Sequence, residues 1–285
     1  MKSSPLIRGL IEVSNLCQKN CLYCGIRRGN SSLSRYHLSV EEVLTCAEKA
    51  LALKYPAIAL QAGELESEKN TAFYEEVLRK LPPTLEVTLS LGEQTEEVYQ
   101  RWKIAGGNRV IRYLLRIETS NPELYAKIHP AECSFARRVE CIRTLKRLGY
   151  VTGSGVMIGL PGQTMDDLKC DLDWFEAMNL DMVGMGPYIP DPSTPLFDAP
   201  SSWTSAQRFQ TAIWMISEVR RRMPNINIVS ATALEALKPG EGQLAGLTAG
   251  ANVIMPNITP APYRAAYNLY PGKPQACALP NSCEI

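Results

Sequence analysis

The sequence lacks long hydrophobic runs, a marked excess of charge and, almost entirely, histidine. No stretch reaches the about 18 consecutive apolar residues of a membrane-spanning helix, and the N-terminus lacks a signal-peptide pattern. A net charge of +1 gives no reason to expect a nucleic acid or a membrane as partner. The two histidines, His37 and His129, do not end predicted strands, so the sequence predicts no histidine base.

Cysteine, in contrast, is frequent, with nine residues among 285. The number is odd and the spacing is uneven, whereas secreted disulfide-rich domains are shorter and denser in cysteine. The composition therefore predicts a cytoplasmic protein with reduced thiols, some of which bind metal. Four cysteines on or near predicted helices are expected to be small buried apolar residues: Cys46, Cys133, Cys141 and Cys170.

The most informative stretch is Cys17-Gln-Lys-Asn-Cys21-Leu-Tyr-Cys24, which follows an apolar first strand. Three thiolates at this spacing can ligate three irons of a cubane 4Fe–4S cluster. Because no fourth ligand lies nearby, the fourth iron would stay open to a small molecule. A structural zinc site is the alternative, but it needs four ligands, and the nearest histidine, His37, lies beyond a Gly/Ser-rich loop.

Short apolar runs alternate with longer amphipathic segments, which predicts an α/β fold with eight parallel strands, a single-domain (β/α)8 TIM barrel over residues 1–285. The capping box of Ser39 and Glu42 begins the first predicted helix, and Thr164 caps a later one. Residues 257–285 are expected to form a C-terminal extension that carries Cys277 and Cys283. The predicted strands cover residues 7–16, 57–61, 86–90, 110–118, 152–158, 181–185, 227–230 and 251–255. The first predicted helix ends near Leu53. The other main predicted helices cover residues 73–80, 96–105, 135–148 and 205–223.

The three cysteines, with Tyr23 just before the third, resemble the signature of the radical S-adenosylmethionine (SAM) superfamily. The resemblance implies that SAM chelates the open iron through its amino and carboxylate groups. One electron from the cluster would then cleave SAM to methionine and a 5′-deoxyadenosyl radical. Gly63-Glu64, after the second strand, resembles the element that binds the methionine amino group, with Ala62 in place of the usual first glycine.

Further SAM contacts are implied at later strand ends. Arg116 and Glu118 lie two apart on the fourth strand and therefore share a face, where they either bind zwitterionic SAM or form a structural ion pair. Arg138 matches an arginine that binds the SAM carboxylate, a task for which the guanidinium fork is suited, and neighbouring Arg137 is expected at the surface. Gly159, in Gly159-Leu-Pro-Gly-Gln-Thr164, would let the backbone approach adenine.

A narrower resemblance spans nearly the whole chain and points to the HydE family of FeFe-hydrogenase maturases, relatives of biotin synthase and methylornithine synthase. It implies a cysteine-bound iron carbonyl/cyanide substrate that a sister maturase supplies, with the adenosyl radical adding to the cysteine sulfur during assembly of the H-cluster diiron subcluster. Ser90, Thr232 and Met255 would face this substrate. A reducing donor such as ferredoxin or flavodoxin is also implied. The motifs lie at residues 21–30, 88–93, 115–122, 159–164, 184–190, 251–257 and 270–273.

Two other functions remain open at the level of sequence. A methylornithine synthase-like amino-acid mutase would use the same cofactors on lysine, and a non-catalytic iron–sulfur carrier would need no SAM pocket. The HydE family often carries a second cluster on three C-terminal cysteines and a helical N-terminal extension. Here only Cys277 and Cys283 are close together, so no functional second cluster is predicted, and about six residues precede the first strand.

Overall fold

A computed structural model describes residues 4–274. Within the described residues the strands are β1 Leu6–Ser14, β2 Ala57–Ala62, β3 Glu86–Ser90, β4 Ile111–Leu114, β5 Val151–Ser154, β6 Met157–Ile158, β7 Met182–Val183, β8 Gly186–Pro187, β9 Asn227–Ile228 and β10 Val253–Ile254. Eight of them form one parallel sheet in the order β10-β1-β2-β3-β4-β5-β7-β9, and β6 pairs with β8 in a separate two-stranded sheet.

Helices connect these strands on the outside of the sheet. They are α1 Val40–Ala52, α2 Glu68–Lys80, α3 Glu96–Ala105, α4 Pro122–Ile128, α5 Phe135–Arg147, α6 Met165–Ala177, α7 Ser205–Arg222, α8 Thr232–Leu237, α9 Gly242–Ala249 and α10 Ala261–Arg264, all within residues 4–274. The capping box of Ser39 and Glu42 and the Thr164 cap are both present, as predicted. No helix in this part of the chain has the length and apolarity to cross a membrane.

The sheet closes into a barrel between β9 and β10. The Asn252 N–H donates to the Ile228 carbonyl, and the Ser230 N–H donates to the Val253 carbonyl, both at 2.9 Å. β10 in turn pairs with β1. The predicted single-domain (β/α)8 barrel is therefore confirmed, and the strands' carboxyl ends meet at one mouth.

The second half of the barrel differs from the prediction in detail. The predicted strand 152–158 divides into β5 and β6 around Gly155, where a Cβ would lie 1.8 Å from the Gly184 carbonyl oxygen. The strand predicted at 181–185 is shorter in the structure, where only β7 falls within it, and β8 follows at Gly186–Pro187 outside the predicted range. Four short helices (α4, α8, α9 and α10) were not predicted. The signal for α4 was present, because Asn121 caps it and Pro122 occupies its first turn.

The cysteines outside the Cys17–Cys24 motif follow the prediction with one exception. Cys46, Cys133 and Cys141 are buried, as expected. Cys170 is exposed, so its predicted burial is wrong. It lies on α6, whose buried face is formed instead by Leu168, Asp171, Leu172 and Phe175. Cys277 and Cys283 lie outside the described residues.

Candidate active site

A cavity of about 320 Å³ opens at the carboxyl ends of the strands. Cys17, Cys21 and Cys24 line it and are partly exposed. We call residues 17–24 the cluster loop. The other predicted site residues that line the same cavity are Tyr23, Gly63, Glu64, Ser90, Arg116, Glu118, Arg138, Thr232 and Met255.

Backbone hydrogen bonds hold the cluster loop from several sides. The Gln18 N–H donates to the Glu64 carbonyl at 2.8 Å, and the Leu22 N–H donates to the Ile128 carbonyl at 3.0 Å. Gly63 permits the first of these contacts, because a Cβ there would lie 2.2 Å from the Leu16 carbonyl oxygen and 2.7 Å from the Cys17 Cβ. Its N–H donates to the Ser14 carbonyl at 3.0 Å. Gly63 therefore lets the loop pack directly against the end of β2.

The donor chemistry of the three thiols fits a cubane cluster, because thiolate is the ligand class that holds such clusters and each cysteine ligates a different iron. Burial raises the pKa of the Cys24 thiol to about 12, so formation of the ligating thiolate depends on the positive charge of the metal.

A buried network of charges forms one wall of the cavity, and we call Lys19, Glu64, Glu93 and Arg138 the mouth network. Lys19 Nζ lies 3.2 Å from Glu64 Oε1, and Glu64 Oε2 accepts the Glu93 N–H at 2.8 Å. Arg138 Nε donates to Glu93 Oε1 at 2.5 Å, and the Glu93 side chain is fully buried. Burial raises the pKa of Glu64, which the positive charge of Arg138 partly offsets. Glu93 thereby fixes the Arg138 guanidinium beside the cavity.

Arg116 and Glu118 extend this charged wall beyond the end of β4. Arg116 Nη2 lies 2.9 Å from Glu118 Oε2 and donates to the Val156 carbonyl at 2.8 Å. The Glu118 backbone is left-handed, with φ +66°, and its N–H donates to the Gly155 carbonyl at 3.0 Å. Burial raises the pKa of Glu118, and Arg116 and then Arg138 oppose this shift. The two side chains share one wall of the cavity and also pair with each other.

Arg137 differs from Arg138 in burial although the two are adjacent on α5. Its side chain is 46% exposed and contacts Glu66 at 2.9 Å and Glu93 at 3.2 Å. Arg138, which is buried, also donates through Nη1 to the Arg116 carbonyl at 2.6 Å. Arg138 lines the cavity, while Arg137 lies at the surface side of the mouth network.

Tyr23 is held by a histidine that does not titrate near neutral pH. Burial lowers the pKa of His129 to about 3, so its ring is neutral. Nδ1 lies 2.9 Å from the Tyr125 carbonyl and must therefore carry the proton, which makes Nε2 an acceptor. The Tyr23 hydroxyl, 3.2 Å from Nε2, donates to it. This histidine positions Tyr23 and has no proton to offer the cavity.

The structure adds polar contacts that the sequence did not predict, two of them made by residues of a C-terminal strap (residues 266–273). Lys273 Nζ contacts Glu12 Oε1 inside the cavity, and Asn257 donates to Glu12 Oε2 at 3.0 Å. The Thr232 and Tyr270 hydroxyls lie 2.7 Å apart. A glutamate within the apolar first strand was a usable signal for Glu12, whereas the position of Lys273 depends on how the strap folds back.

Gly159 is the one predicted site residue that does not line the cavity. Its N–H donates to Gln163 Oε1 at 2.6 Å, and its carbonyl accepts from Arg208 Nε at 2.9 Å. With φ +83° and a position where a Cβ would lie 2.4 Å from Arg208 Cγ, it requires glycine for the turn itself. Its N–H is therefore engaged within the protein, and the approach of this backbone to adenine stays a prediction.

Comparisons with known proteins agree with this geometry. Residues 11–175 match the Radical SAM superfamily. The chain is 46% identical to the FeFe hydrogenase maturase subunit HydE of Thermotoga maritima over 94% of this chain and 74% of that protein. It is 28% identical to biotin synthase of Persephonella marina over 66% of this chain and 56% of that protein.

Among solved structures, that of methylornithine synthase (PylB) superposes with a TM-score of 0.74 at 23% identity, covering 88% of this chain and 72% of the other, which supports the fold. The chain therefore belongs to the radical SAM superfamily, whose enzymes use a 4Fe–4S cluster and SAM, and within it to the HydE family of FeFe-hydrogenase maturases.

Proposed function

We propose that this chain cleaves SAM reductively at a 4Fe–4S cluster held by Cys17, Cys21 and Cys24, and acts in assembly of the FeFe-hydrogenase H-cluster. One observation carries the proposal: the three thiols open onto the same cavity as the mouth network and the Arg116–Glu118 pair. When bound, the cluster supplies one electron to SAM, whose cleavage gives methionine and a 5′-deoxyadenosyl radical.

In this proposal the charged wall binds the polar end of SAM. Arg138 and Arg116 offer guanidinium groups to the methionine carboxylate, and Glu118 offers a carboxylate to a cationic group of SAM. Glu93 orients Arg138 from behind through their 2.5 Å contact, and Glu64 accepts the Glu93 N–H at 2.8 Å. Tyr23, within the cluster loop, is fixed by its bond to neutral His129. Gly63 contributes by close packing rather than by a free N–H.

The substrate is proposed to be a small iron complex that carries cysteine, carbonyl and cyanide. Ser90 and Thr232 would donate hydrogen bonds to cyanide or carboxylate, and Met255 would pack against the complex, since all three line the cavity. Tyr267, Tyr270 and Lys273 of the C-terminal strap line the same space. A sister maturase as supplier, a ferredoxin or flavodoxin as reductant, and a cytoplasmic location belong to the same proposal.

Anaerobic reconstitution tests the cofactor chemistry. The protein is loaded with iron and sulfide, reduced with dithionite and given SAM, and 5′-deoxyadenosine is quantified. Cys17→Ala, Cys21→Ala and Cys24→Ala should each abolish the product, because each removes one cluster ligand. Cys170→Ala is the matched control, since this exposed thiol lies on the outside of α6. Zinc in place of iron, or product that survives the three variants, would contradict the proposal.

The choice of substrate separates the proposal from its alternatives. The reduced enzyme is incubated with SAM and either a cysteine–iron complex bearing carbonyl and cyanide, or lysine. Consumption of the iron complex with an adenosylated cysteine sulfur supports the maturase, and rearranged lysine would support an amino-acid mutase. An intact cluster with no SAM cleavage, and with SAM binding unchanged in Arg138→Ala, would instead identify an iron–sulfur carrier.

A further inference from the structure

One arginine side chain closes the base of the cluster loop. Nη1 of Arg35 donates to the Asn15 carbonyl at 2.6 Å and to the Ile26 carbonyl at 2.8 Å. Asn15 lies two residues before Cys17, the first cysteine of the loop, and Ile26 lies two residues after Cys24, the last one. The backbone that enters the loop and the backbone that leaves it therefore meet at a single nitrogen atom.

The other terminal nitrogen of the same guanidinium fixes the turn that follows the loop. Nη2 of Arg35 donates to the Arg27 carbonyl at 2.6 Å and to the Asn30 carbonyl at 3.0 Å. The Asn30 N–H donates to the Arg27 carbonyl at 3.0 Å, and the Asn30 side chain donates to the Gly25 carbonyl at 2.7 Å. We call the four bonds of Arg35 to backbone carbonyls the Arg35 clamp. The clamp needs no group from outside the protein.

The backbone on either side of Arg35 is tied to the end of β1. The buried Asn15 side chain donates to the Ser34 carbonyl at 2.8 Å and accepts the Tyr36 N–H at 2.8 Å. The Ser14 hydroxyl donates to the Tyr36 carbonyl, also at 2.8 Å. Because both neighbours of Arg35 are held, its side chain reaches the base of the loop from a fixed position.

The C-terminal strap contacts the same base. The Asn15 side chain also donates to the Ala266 carbonyl at 2.7 Å, and the Gly25 N–H donates to the Leu269 carbonyl at 3.1 Å. A Cβ at Gly25 would lie 2.2 Å from the Asn268 carbonyl oxygen, so loop and strap are in direct contact. The two ends of the cluster loop are thus held to each other by the clamp, and each end is bound to the strap.

We propose that Arg35 is a positioning residue for the 4Fe–4S cluster: its guanidinium closes the base of the loop and so holds the three cysteine side chains where a cluster can bind. The inference rests on the proposed ligand set of Cys17, Cys21 and Cys24. A short loop that carries three ligands must keep them at a fixed spacing, and freeing its ends would let them separate. The planar fork of a guanidinium spans four acceptors, whereas a lysine ammonium donates from one point. The shape of the side chain is therefore required in addition to its charge.

Iron release from the reconstituted full-length protein tests the clamp. Wild type, Arg35→Lys and Arg28→Lys are loaded with iron and sulfide under anaerobic conditions, and transfer of iron to excess EDTA is followed over time. Arg35→Lys should release iron at least about tenfold faster than wild type, because each charge-assisted hydrogen bond that it loses shifts an opening equilibrium by about this factor or more. Arg28→Lys, which changes an exposed residue of the same turn, should match wild type.

Chemical rescue separates positioning from a merely structural role. Arg35→Ala should lose iron faster than Arg35→Lys. Guanidinium chloride at a low, non-denaturing concentration should slow this loss, whereas ammonium chloride at the same concentration should not. In Arg35→Lys the electron paramagnetic resonance spectrum of the reduced cluster should be broader than in wild type, because cysteines held in several arrangements give several cluster environments. Circular dichroism of the cluster-free variants should match that of wild type.

Three results would overturn the proposal. They are an iron-release rate in Arg35→Lys equal to that of wild type, equal rescue of Arg35→Ala by ammonium, and loss of the circular dichroism signal in Arg35→Lys. The last result counts against the proposal because the clamp is proposed to act on the cluster loop alone. A wild-type protein that binds no cluster would instead contradict the proposed function, so the two failures are distinguishable.

Discussion

The two halves of the barrel wall are built differently. The strands β1 to β4 run for nine, six, five and four residues and pair over long registers. Strands β6 to β10 have two residues each. The mouth network and the Arg116–Glu118 pair all come from the first half or directly after it. The second half lines the cavity mainly with apolar or small residues such as Met157, Gly184 and Tyr188.

This difference explains how one cavity can bind two ligands. Charged groups need fixed positions, because their interaction energies change steeply with distance, and long paired strands supply them. The second half offers shape and a few hydroxyl groups, and residues of the C-terminal strap line the same cavity. In the proposed function the first half, apart from Ser90, therefore binds the cofactor, whereas the second half and the strap bind the substrate. Substitutions on the two sides of the cavity test this difference.

The largest effect is expected when the mouth network is broken. Arg138→Ala leaves the fully buried Glu93 carboxylate without its partner at 2.5 Å, which should lower the free energy of unfolding by about 3–5 kcal/mol. Chemical denaturation measures this loss. Arg137→Ala is the matched control, because its partly exposed pair with Glu93 should contribute less than about 1 kcal/mol. Equal losses in both variants would show that burial does not set the strength of the network.

The next effect concerns pH and the segment that holds Tyr23. His129 has its pKa lowered from 6.5 to about 3 by burial, so the unfolded chain binds more protons than the folded chain between these values. Stability should therefore fall as pH drops below 6.5, by about 1.4 kcal/mol per pH unit from this group. Denaturation curves recorded from pH 7 to pH 4 should show this pH-dependent fall in stability for wild type but not for His129→Gln. A slope in His129→Gln equal to that of wild type would refute the assignment.

Features formed by residues close together in the sequence could be predicted before the structure was known. The cluster loop and the Ser39 cap are contiguous in sequence, so spacing and residue type were sufficient. The barrel followed from the alternation of apolar and amphipathic segments. The Glu12–Lys273 pair could not be predicted, because 261 positions separate its members and the strap must fold back to join them. Cys133 was assigned correctly as buried, although α4, the helix that precedes it, was missed.

One glycine substitution in each half tests the comparison of the two halves. In Gly63→Ala a Cβ would lie 2.2 Å from the Leu16 carbonyl oxygen, so the cluster loop must shift, at a cost of about 1–3 kcal/mol. In Gly184→Ala, on the second half, the nearest atom would be Leu114 Cδ2 at 3.4 Å, an ordinary contact. Iron content after reconstitution should fall in Gly63→Ala and stay at the wild-type level in Gly184→Ala. Full iron loading of Gly63→Ala would mean that the loop does not depend on this packing.

The smallest expected effect tests the strap. Tyr270→Phe removes the hydroxyl that lies 2.7 Å from Thr232 Oγ1 and leaves the apolar packing of the ring in place. One such hydrogen bond contributes about 0.5–1.5 kcal/mol, so consumption of the iron-complex substrate should slow by no more than about tenfold. SAM affinity should stay unchanged, because no member of the mouth network contacts this hydroxyl in the described residues. Tyr263→Phe removes a hydroxyl that donates to Glu42 on α1 and provides the control. A loss of SAM affinity in Tyr270→Phe would show that the two sides of the cavity act as one site, and that the division between charged and apolar walls does not separate cofactor from substrate.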